Sequence, residues 1–221
     1  MKLNLFSRKD KKIIKDPLMG ENPISIHILG ICSALAITTK IDTAVVMTLA
    51  VVAVLSISNT VVALLRKLIP NKVRIIIQMS VIASLVSITD EILAAYYYDM
   101  SKLLGVFLGL IITNCIVLGR LEAFAMQNSP GKAFLDGMGN GLGYGAILIA
   151  VAFFREFFGF GSIYGYNVIN DNLYFSGYEN NGLMILSPGA FIILGLIVWV
   201  HRSYTKAVSY THLTLPTNRE V

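Results

Sequence analysis

Long apolar runs separated by short polar segments dominate the pattern of this chain. The runs hold about 20 residues each with few charges inside them, which is the length that an α-helix needs to cross the hydrocarbon core of a bilayer. The pattern predicts six transmembrane helices and hence an all-α integral membrane protein. Their predicted bounds are Pro23–Thr38, Thr43–Leu65, Val73–Tyr97, Leu103–Gly119, Ala133–Phe157 and Leu183–Val200.

The composition agrees with a membrane protein. Hydrophobic residues make up 55% of the 221 residues and charged residues 14%, whereas a soluble domain carries roughly a quarter charged residues. No short apolar stretch with a cleavage site follows the basic N-terminus, so we expect no removable signal peptide. The lipid bilayer is therefore the expected surroundings of residues 23–202.

The formal net charge of +5 comes from lysines and arginines that flank the apolar runs. Charges in such places orient a membrane protein and do not indicate a nucleic-acid partner. With a cytoplasmic N-terminus, fourteen basic residues fall in cytoplasmic segments, whereas only Lys40, Lys102 and Arg155 fall outside. This bias predicts an even number of spans and places both termini in the cytoplasm.

The six predicted spans divide into two halves, about 23–98 and 103–202, behind a basic cytoplasmic segment at 1–22. Because each half has three spans, the second half must enter the membrane in the opposite orientation, as in inverted-repeat proteins. Residues 208–221 resemble a translated sequencing-library adaptor and are excluded from fold and function; a native disordered tail is the alternative.

The first span of each half is expected to be interrupted. Pro23–Thr38 covers about 24 Å as a straight helix, less than the hydrocarbon core of about 30 Å, and Gly30 lies within it. Inverted repeats place their functional sites near the midplane, on broken helices of this kind.

The two cysteines, Cys32 and Cys115, lie in these two spans. Counting residues from the nearer end of each span puts them about 13 Å and about 18 Å deep, both near the midplane. The two cysteines either pack as small apolar residues, form a disulfide with each other, or belong to a metal site. Their matched depth and the polar neighbours Ser33, Thr113 and Asn114 favour the metal site. Iron–sulfur clusters usually need four thiolates, so a partner chain would have to complete such a site.

The remaining motifs favour structural roles. Gly137, Gly141 and Gly145 share one helix face and indicate close helix packing, because no phosphate-binding motif surrounds them. Asp90, Glu91 and Asp136 are either interfacial anchors or part of an ion path. The pairs Arg120–Glu122 and Arg155–Glu156 are interpreted as charged span ends. With no hydrolytic triad or zinc spacing, the isolated chain is not expected to be catalytic.

From Asn22 to about Arg202 the chain resembles the paired membrane proteins of the Nqr/Rnf complexes. The densest matches are Asn22–Pro23, Leu29–Ala36, Val73–Ile76, Leu110–Arg120, Glu122–Met126 and Asp136–Gly145. The resemblance implies a bacterial inner-membrane complex of six subunits that passes electrons from NADH through flavins to ubiquinone and exports Na+.

The resemblance also implies what the cysteines do. Cys32 and Cys115 would be ligands of a [2Fe-2S] cluster that this chain shares with a homologous twin subunit of opposite orientation. FMN, FAD, riboflavin and NADH would be bound by other subunits. A corresponding subunit of the Rnf ferredoxin:NAD+ oxidoreductase, a non-redox ion transporter and a purely structural subunit remain the alternatives.

Overall fold

The computed structural model describes residues 8–96, 98, 102, 105, 109–163, 166–167 and 182–205. These residues are helical apart from turns, short irregular segments and a small antiparallel hairpin. The hairpin pairs two strands of two residues each, Ser162–Ile163 and Tyr166–Asn167. The segment predicted to be adaptor-derived, 208–221, lies outside the described residues. The α-helices are α1 (Arg8–Met19), α2 (Ile31–Ile37), α3 (Ile41–Leu65), α4 (Arg74–Tyr96), α5 (Cys115–Arg120), α6 (Pro130–Phe160), α7 (Gly182–Ile185) and α8 (Ser187–Thr205). A 3-10 helix (Asn71–Val73) precedes α4, and a π-helix (Leu121–Ala125) follows α5.

Three helices in the described part of the chain, α3, α4 and α6, are long and apolar enough to cross a membrane. They correspond to the second, third and fifth predicted spans, whose bounds they match within three residues. In the first predicted span, α2 follows a non-helical segment, and in the described part of the fourth, Thr113 and Asn114 separate a helical segment at 109–112 from α5. The all-α class is therefore confirmed, whereas the number of spans, six, stays a prediction.

Helices α3 and α6 pack together at the centre of the fold, and the predicted glycine face lies between them. A methyl group added at Gly137 would come within 2.6 Å of the Ser56 Cα, and one added at Gly141 would come within 3.0 Å of the Val52 Cα. Gly145 faces Thr48 in the same way. The predicted packing role of this face is confirmed, because only glycine lets the two backbones approach so closely.

The opposite face of α6 receives α1, a contact that the sequence did not predict. A methyl group on Gly139 would come within 3.0 Å of the Ile14 Cα, and Gly143 lies against the carbonyl of Pro17. Helix α1 lies within the predicted basic segment 1–22 and packs on α6. The alternating glycines therefore serve two helix contacts on opposite faces of one helix.

Helix α4 lies at the periphery of the described fold. Its buried residues are Gln78, Ile82 and Val86, whereas large apolar side chains such as Ile76 and Ile88 are exposed. An apolar face of this kind is suited to lipid or to another membrane protein.

Candidate functional site

The first cysteine follows a non-helical segment, as the sequence predicted for the first apolar run. The chain turns through residues 22–30 before α2 begins at Ile31. Ile28 and Gly30 have positive φ angles of 57° and 84°, and such angles stop a helix from forming. Cys32 therefore lies in the first turn of α2, with its side chain exposed.

The second cysteine follows a similar break. A helical segment at 109–112 ends at Thr113 and Asn114, and α5 begins at Cys115. The Asn114 side chain accepts a hydrogen bond from the Ile116 N–H at 3.3 Å, which is the usual arrangement at the start of a helix. Cys115 is also exposed. Both cysteines thus occupy the first turn of a short helix.

The non-helical break before Cys32 contacts the helix start at Cys115, which follows the second break. The backbone N–H of Gly30 donates a hydrogen bond to the Sγ atom of Cys115 at 2.9 Å. The residue two positions before one cysteine therefore contacts the sulfur of the other, although 85 positions separate the bonded residues. The fold therefore places the break before Cys32 in contact with Cys115.

A buried cluster of side chains lies behind the two cysteine turns. The Ser33 hydroxyl donates to the Gly30 carbonyl at 2.9 Å and lies 2.6 Å from the hydroxyl of Tyr144 on α6. The Asn114 amide donates to the Ser33 Oγ at 3.1 Å. Ser33 and Asn114 were singled out from the sequence, but Tyr144 was missed. The available signal was a tyrosine between two glycines of an apolar helix, because a buried tyrosine needs a hydrogen-bond partner.

The loop before Cys32 is fixed from two sides. The Asn22 amide donates to the Gly143 carbonyl of α6 at 2.8 Å. From α8, Arg202 donates to the carbonyls of Ser25 and Ile26 at 2.8 and 3.3 Å. The last helix of the described chain therefore holds the first break in place.

Arg155 and Glu156 differ from their interpretation as a charged span end, because both are buried. Arg155 donates to the Leu35 carbonyl at 3.2 Å and to the Thr38 hydroxyl at 2.6 Å. It also donates to the carbonyls of Met184 and Ile185. Glu156 accepts the Ile41 N–H at 2.7 Å. The pair thus satisfies the backbone groups left open where α2 ends and α3 begins.

Arg120 and Glu122 do not pair with each other. Arg120 forms a two-bond ion pair with Asp136 of α6, whose carboxylate also accepts the Asn140 amide. Glu122 pairs with Arg74 of α4. Asp136 is therefore an ion-paired carboxylate between two helices.

A cavity of about 280 Å³ opens beside Cys115, lined by Ile75, Gln78, Cys115, Leu118, Gly119 and Glu122.

The cysteines fit one half of a four-thiolate cluster. Among the described residues, no group of three or more His, Cys, Asp or Glu side chains that could hold a metal occurs; in a cluster shared between chains, Cys32 and Cys115 would supply two of the sulfurs. Both are exposed and therefore accessible to a second chain, and one accepts a backbone N–H bond. Hydrogen bonds of this kind to cysteine sulfur are a common feature of iron–sulfur sites.

The sequence of this chain matches a known protein family across both breaks. Residues 11–198 match the family described as "Rnf-Nqr subunit, membrane protein". The chain belongs to the Rnf-Nqr family. The resemblance noted from the cysteine and glycine motifs is thereby confirmed, and the Rnf-Nqr match covers every element of the candidate site from Asn22 to Glu156.

Rnf-Nqr relatives of high identity are named for one type of complex. The D subunit of the Na(+)-translocating NADH-quinone reductase of Pasteurella multocida (strain Pm70) is 55% identical over 193 residues, covering 87% of this chain and 93% of the relative. The protein of the same name from Shewanella sp. (strain ANA-3) is 51% identical over 194 residues, covering 88% and 92%.

Proposed function

We propose that this chain is the D-type membrane component of a bacterial Na+-pumping NADH:ubiquinone reductase, a translocase. Its partners in the inner membrane are its homologous twin, the E component, together with the A, B, C and F components of the complex. The identity of more than half of the residues to D-type relatives over most of the chain supports this proposal. In the proposed topology, six spans form two inverted halves, and both termini are cytoplasmic.

In this proposal, Cys32 and Cys115 provide two of the four ligands of a [2Fe-2S] cluster, and the homologous twin provides the other two. The contact between the Gly30 N–H and the Cys115 sulfur carries the proposal, because it joins the two cysteine turns as a shared site requires. A cluster of this type supplies one-electron transfer, here between the flavin-bearing components. FMN, FAD, riboflavin and NADH are assigned to those other components.

The chain's own residues present the sulfurs at a surface. The backbone of both breaks is held from behind by Ser33, Asn114 and Tyr144, while both thiols are exposed. This geometry supports a site shared between chains, because a site completed within one chain would enclose its ligands.

Two observations bear on the alternatives. The buried carboxylate of Asp136 is paired with Arg120, so it is poorly suited to bind a Na+ ion directly, which argues against a non-redox transporter built on this residue. The Rnf ferredoxin:NAD+ oxidoreductase remains a second candidate, because the matching family includes both Rnf and Nqr proteins. The named D-type relatives favour the Nqr assignment.

Replacing either cysteine tests the function. Cys32→Ala and Cys115→Ala should each leave the complex assembled but abolish its [2Fe-2S] EPR signal and reduce NADH-driven ubiquinone reduction at least a hundredfold. Iron content per complex, EPR and turnover are measured together on purified complexes. The control is Ser84→Ala, an exposed position on the peripheral helix α4, which should retain all three. Near-normal iron and turnover in both cysteine variants would rule out the electron-relay role.

A further inference from the structure

One buried hydroxyl, that of Ser33, joins the two cysteine turns. It follows Cys32 directly in the chain, and its partner Asn114 directly precedes Cys115. The third partner, Tyr144, comes from the central helix α6 and is fully buried. A single serine thus connects both cysteine-bearing turns to the central helix of the fold.

The hydrogen-bonding capacity of this serine is completely used. Its hydroxyl donates to the Gly30 carbonyl. It then accepts from the Asn114 amide, and its second acceptor position is matched by the hydroxyl proton of Tyr144. A hydroxyl has one donor and two acceptor positions, so this assignment leaves no group unpaired. Buried polar networks of this kind are rigid when all their members are satisfied.

The ring of Tyr144 also constrains the backbone that contacts the sulfur. It packs directly on Gly30, since an added methyl group there would come within 2.9 Å of the ring. The Gly30 carbonyl is held by Ser33, and the N–H of the same residue points at the Cys115 sulfur. Ser33 and Tyr144 therefore fix the orientation of the backbone that donates to the cysteine.

We infer that Ser33, Asn114 and Tyr144 form a hydroxyl clasp that holds the Gly30 N–H on the Cys115 sulfur and thereby sets the reduction potential of the centre bound there. Tyr144 and Ser33 act as positioning residues through the backbone. The inference rests on the proposed function for its redox consequence, whereas the positioning of the two cysteine turns does not depend on it.

The direction of the redox effect follows from charge. Reduction adds negative charge to the sulfur ligands, and an N–H donor stabilises the reduced state more than the oxidised one. Hydrogen bonds to the sulfurs therefore raise the reduction potential of iron–sulfur centres. Loosening the clasp lengthens or removes the Gly30 bond and lowers the potential.

The experiment uses three variants of the assembled complex: Tyr144→Phe, Ser33→Ala and the double variant. Iron content should stay at the wild-type level, because both cysteines remain. The midpoint potential, from EPR-monitored titration, should fall in Tyr144→Phe and fall further in Ser33→Ala, which removes all three bonds. The double variant should shift by less than the sum of the two single variants, since both substitutions remove the same Ser33–Tyr144 bond and their effects are not additive.

The controls remove the same groups elsewhere. Ser58→Ala deletes a buried hydroxyl that donates within its own helix, to Leu55. Tyr204→Phe deletes an exposed phenol on α8. Both should keep the wild-type potential. An unchanged potential in Ser33→Ala with iron retained, or a shift in the double variant equal to the sum of two independent shifts, would overturn the clasp.

A second readout requires no metal. Amide hydrogen exchange of the full chain in detergent reports how firmly the Gly30 N–H is held on the Cys115 sulfur. Exchange at Gly30 that becomes faster in Ser33→Ala but not in Ser58→Ala supports the clasp, and equal exchange in both overturns it. If the cysteine variants of the complex keep their iron, the proposed function fails, and the exchange rates still decide the clasp.

Discussion

Arg155 carries a charge although its side chain is almost completely buried. Its side chain is 2% exposed, and it donates to three backbone carbonyls and one hydroxyl. The carbonyls belong to the ends of α2 and α7, which are too short to satisfy their own last backbone groups. A planar guanidinium with five N–H donors reaches several acceptors at once, which a lysine ammonium does not do as well.

We therefore expect both Arg155→Met and Arg155→Lys to destabilise the protein. Removing the guanidinium leaves the carbonyls of Leu35 and Ile185 without this donor, at a cost of about 3 kcal/mol in the free energy of unfolding. Lysine should recover only part of this loss. Thermal unfolding of the detergent-solubilised complex measures the effect, and Lys132→Met, at an exposed position, is the control that should unfold like the wild type. Equal midpoints for Arg155→Met and the control would refute the capping role.

The sequence could identify Arg155 as unusual but not explain it. A charge near the end of an apolar run is most often a solvated span end, and that was the interpretation. Its actual acceptors lie 29 to 120 positions away along the chain, and no local pattern carries such contacts. The same holds for Tyr144, whose partner Ser33 is 111 positions away. The cysteines were candidates from their type and predicted depth alone, and their role as ligands stays a prediction.

At the scale of elements, α6 packs closely against a different helix on each of two opposite faces. Its glycines at 137, 141 and 145 meet α3, and the two between them, Gly139 and Gly143, meet α1. Tyr144 projects from the same stretch toward the cysteine turns.

Gly137→Ala should therefore destabilise the packing of α3 on α6. The new methyl group would lie 2.6 Å from a backbone atom of Ser56, which no side-chain movement relieves, so the helices must separate at a cost of about 2 kcal/mol. The matched control is Gly195→Ala in α8, which has nothing within 4 Å of the added methyl. It should be neutral or stabilise by up to about 1 kcal/mol, as alanine favours helix. Unfolding midpoints compare the two variants, and equal values would contradict the close packing.

The long helices were the most predictable elements. For α3, α4 and α6, an uninterrupted apolar run decides both the type and the bounds of the helix. The cysteine-bearing segments were harder, because their short helices are defined by breaks. Gly30 and the shortness of the first run indicated one break. Asn114, a good residue for the start of a helix, was available as the signal for the other, but it was interpreted only as a polar neighbour of Cys115.

For the whole molecule, the structure alters the charge count that predicts orientation. Arg155 was one of three basic residues assigned to the outside, yet its guanidinium is buried and bonded to backbone. A residue committed to the interior contributes little to the interaction of loops with the cytoplasmic side, so it does not weigh against the predicted orientation. The outside segments then retain only Lys40 and Lys102, and the cytoplasmic location of both termini stays a prediction.

This orientation yields a prediction for reporter fusions in the bacterial membrane. Alkaline phosphatase, which is active only outside the cytoplasm, should be active when fused after Lys40 or Lys102. A fluorescent reporter that folds only in the cytoplasm should be bright after Leu68, Asn128 or Thr205. The alternation follows because an odd number of spans separates each inside site from the next outside one. Phosphatase activity after both Lys102 and Asn128 would break the alternation, since the segment that holds Cys115 would then not cross to the cytoplasm and the second half would lack the predicted inverted topology.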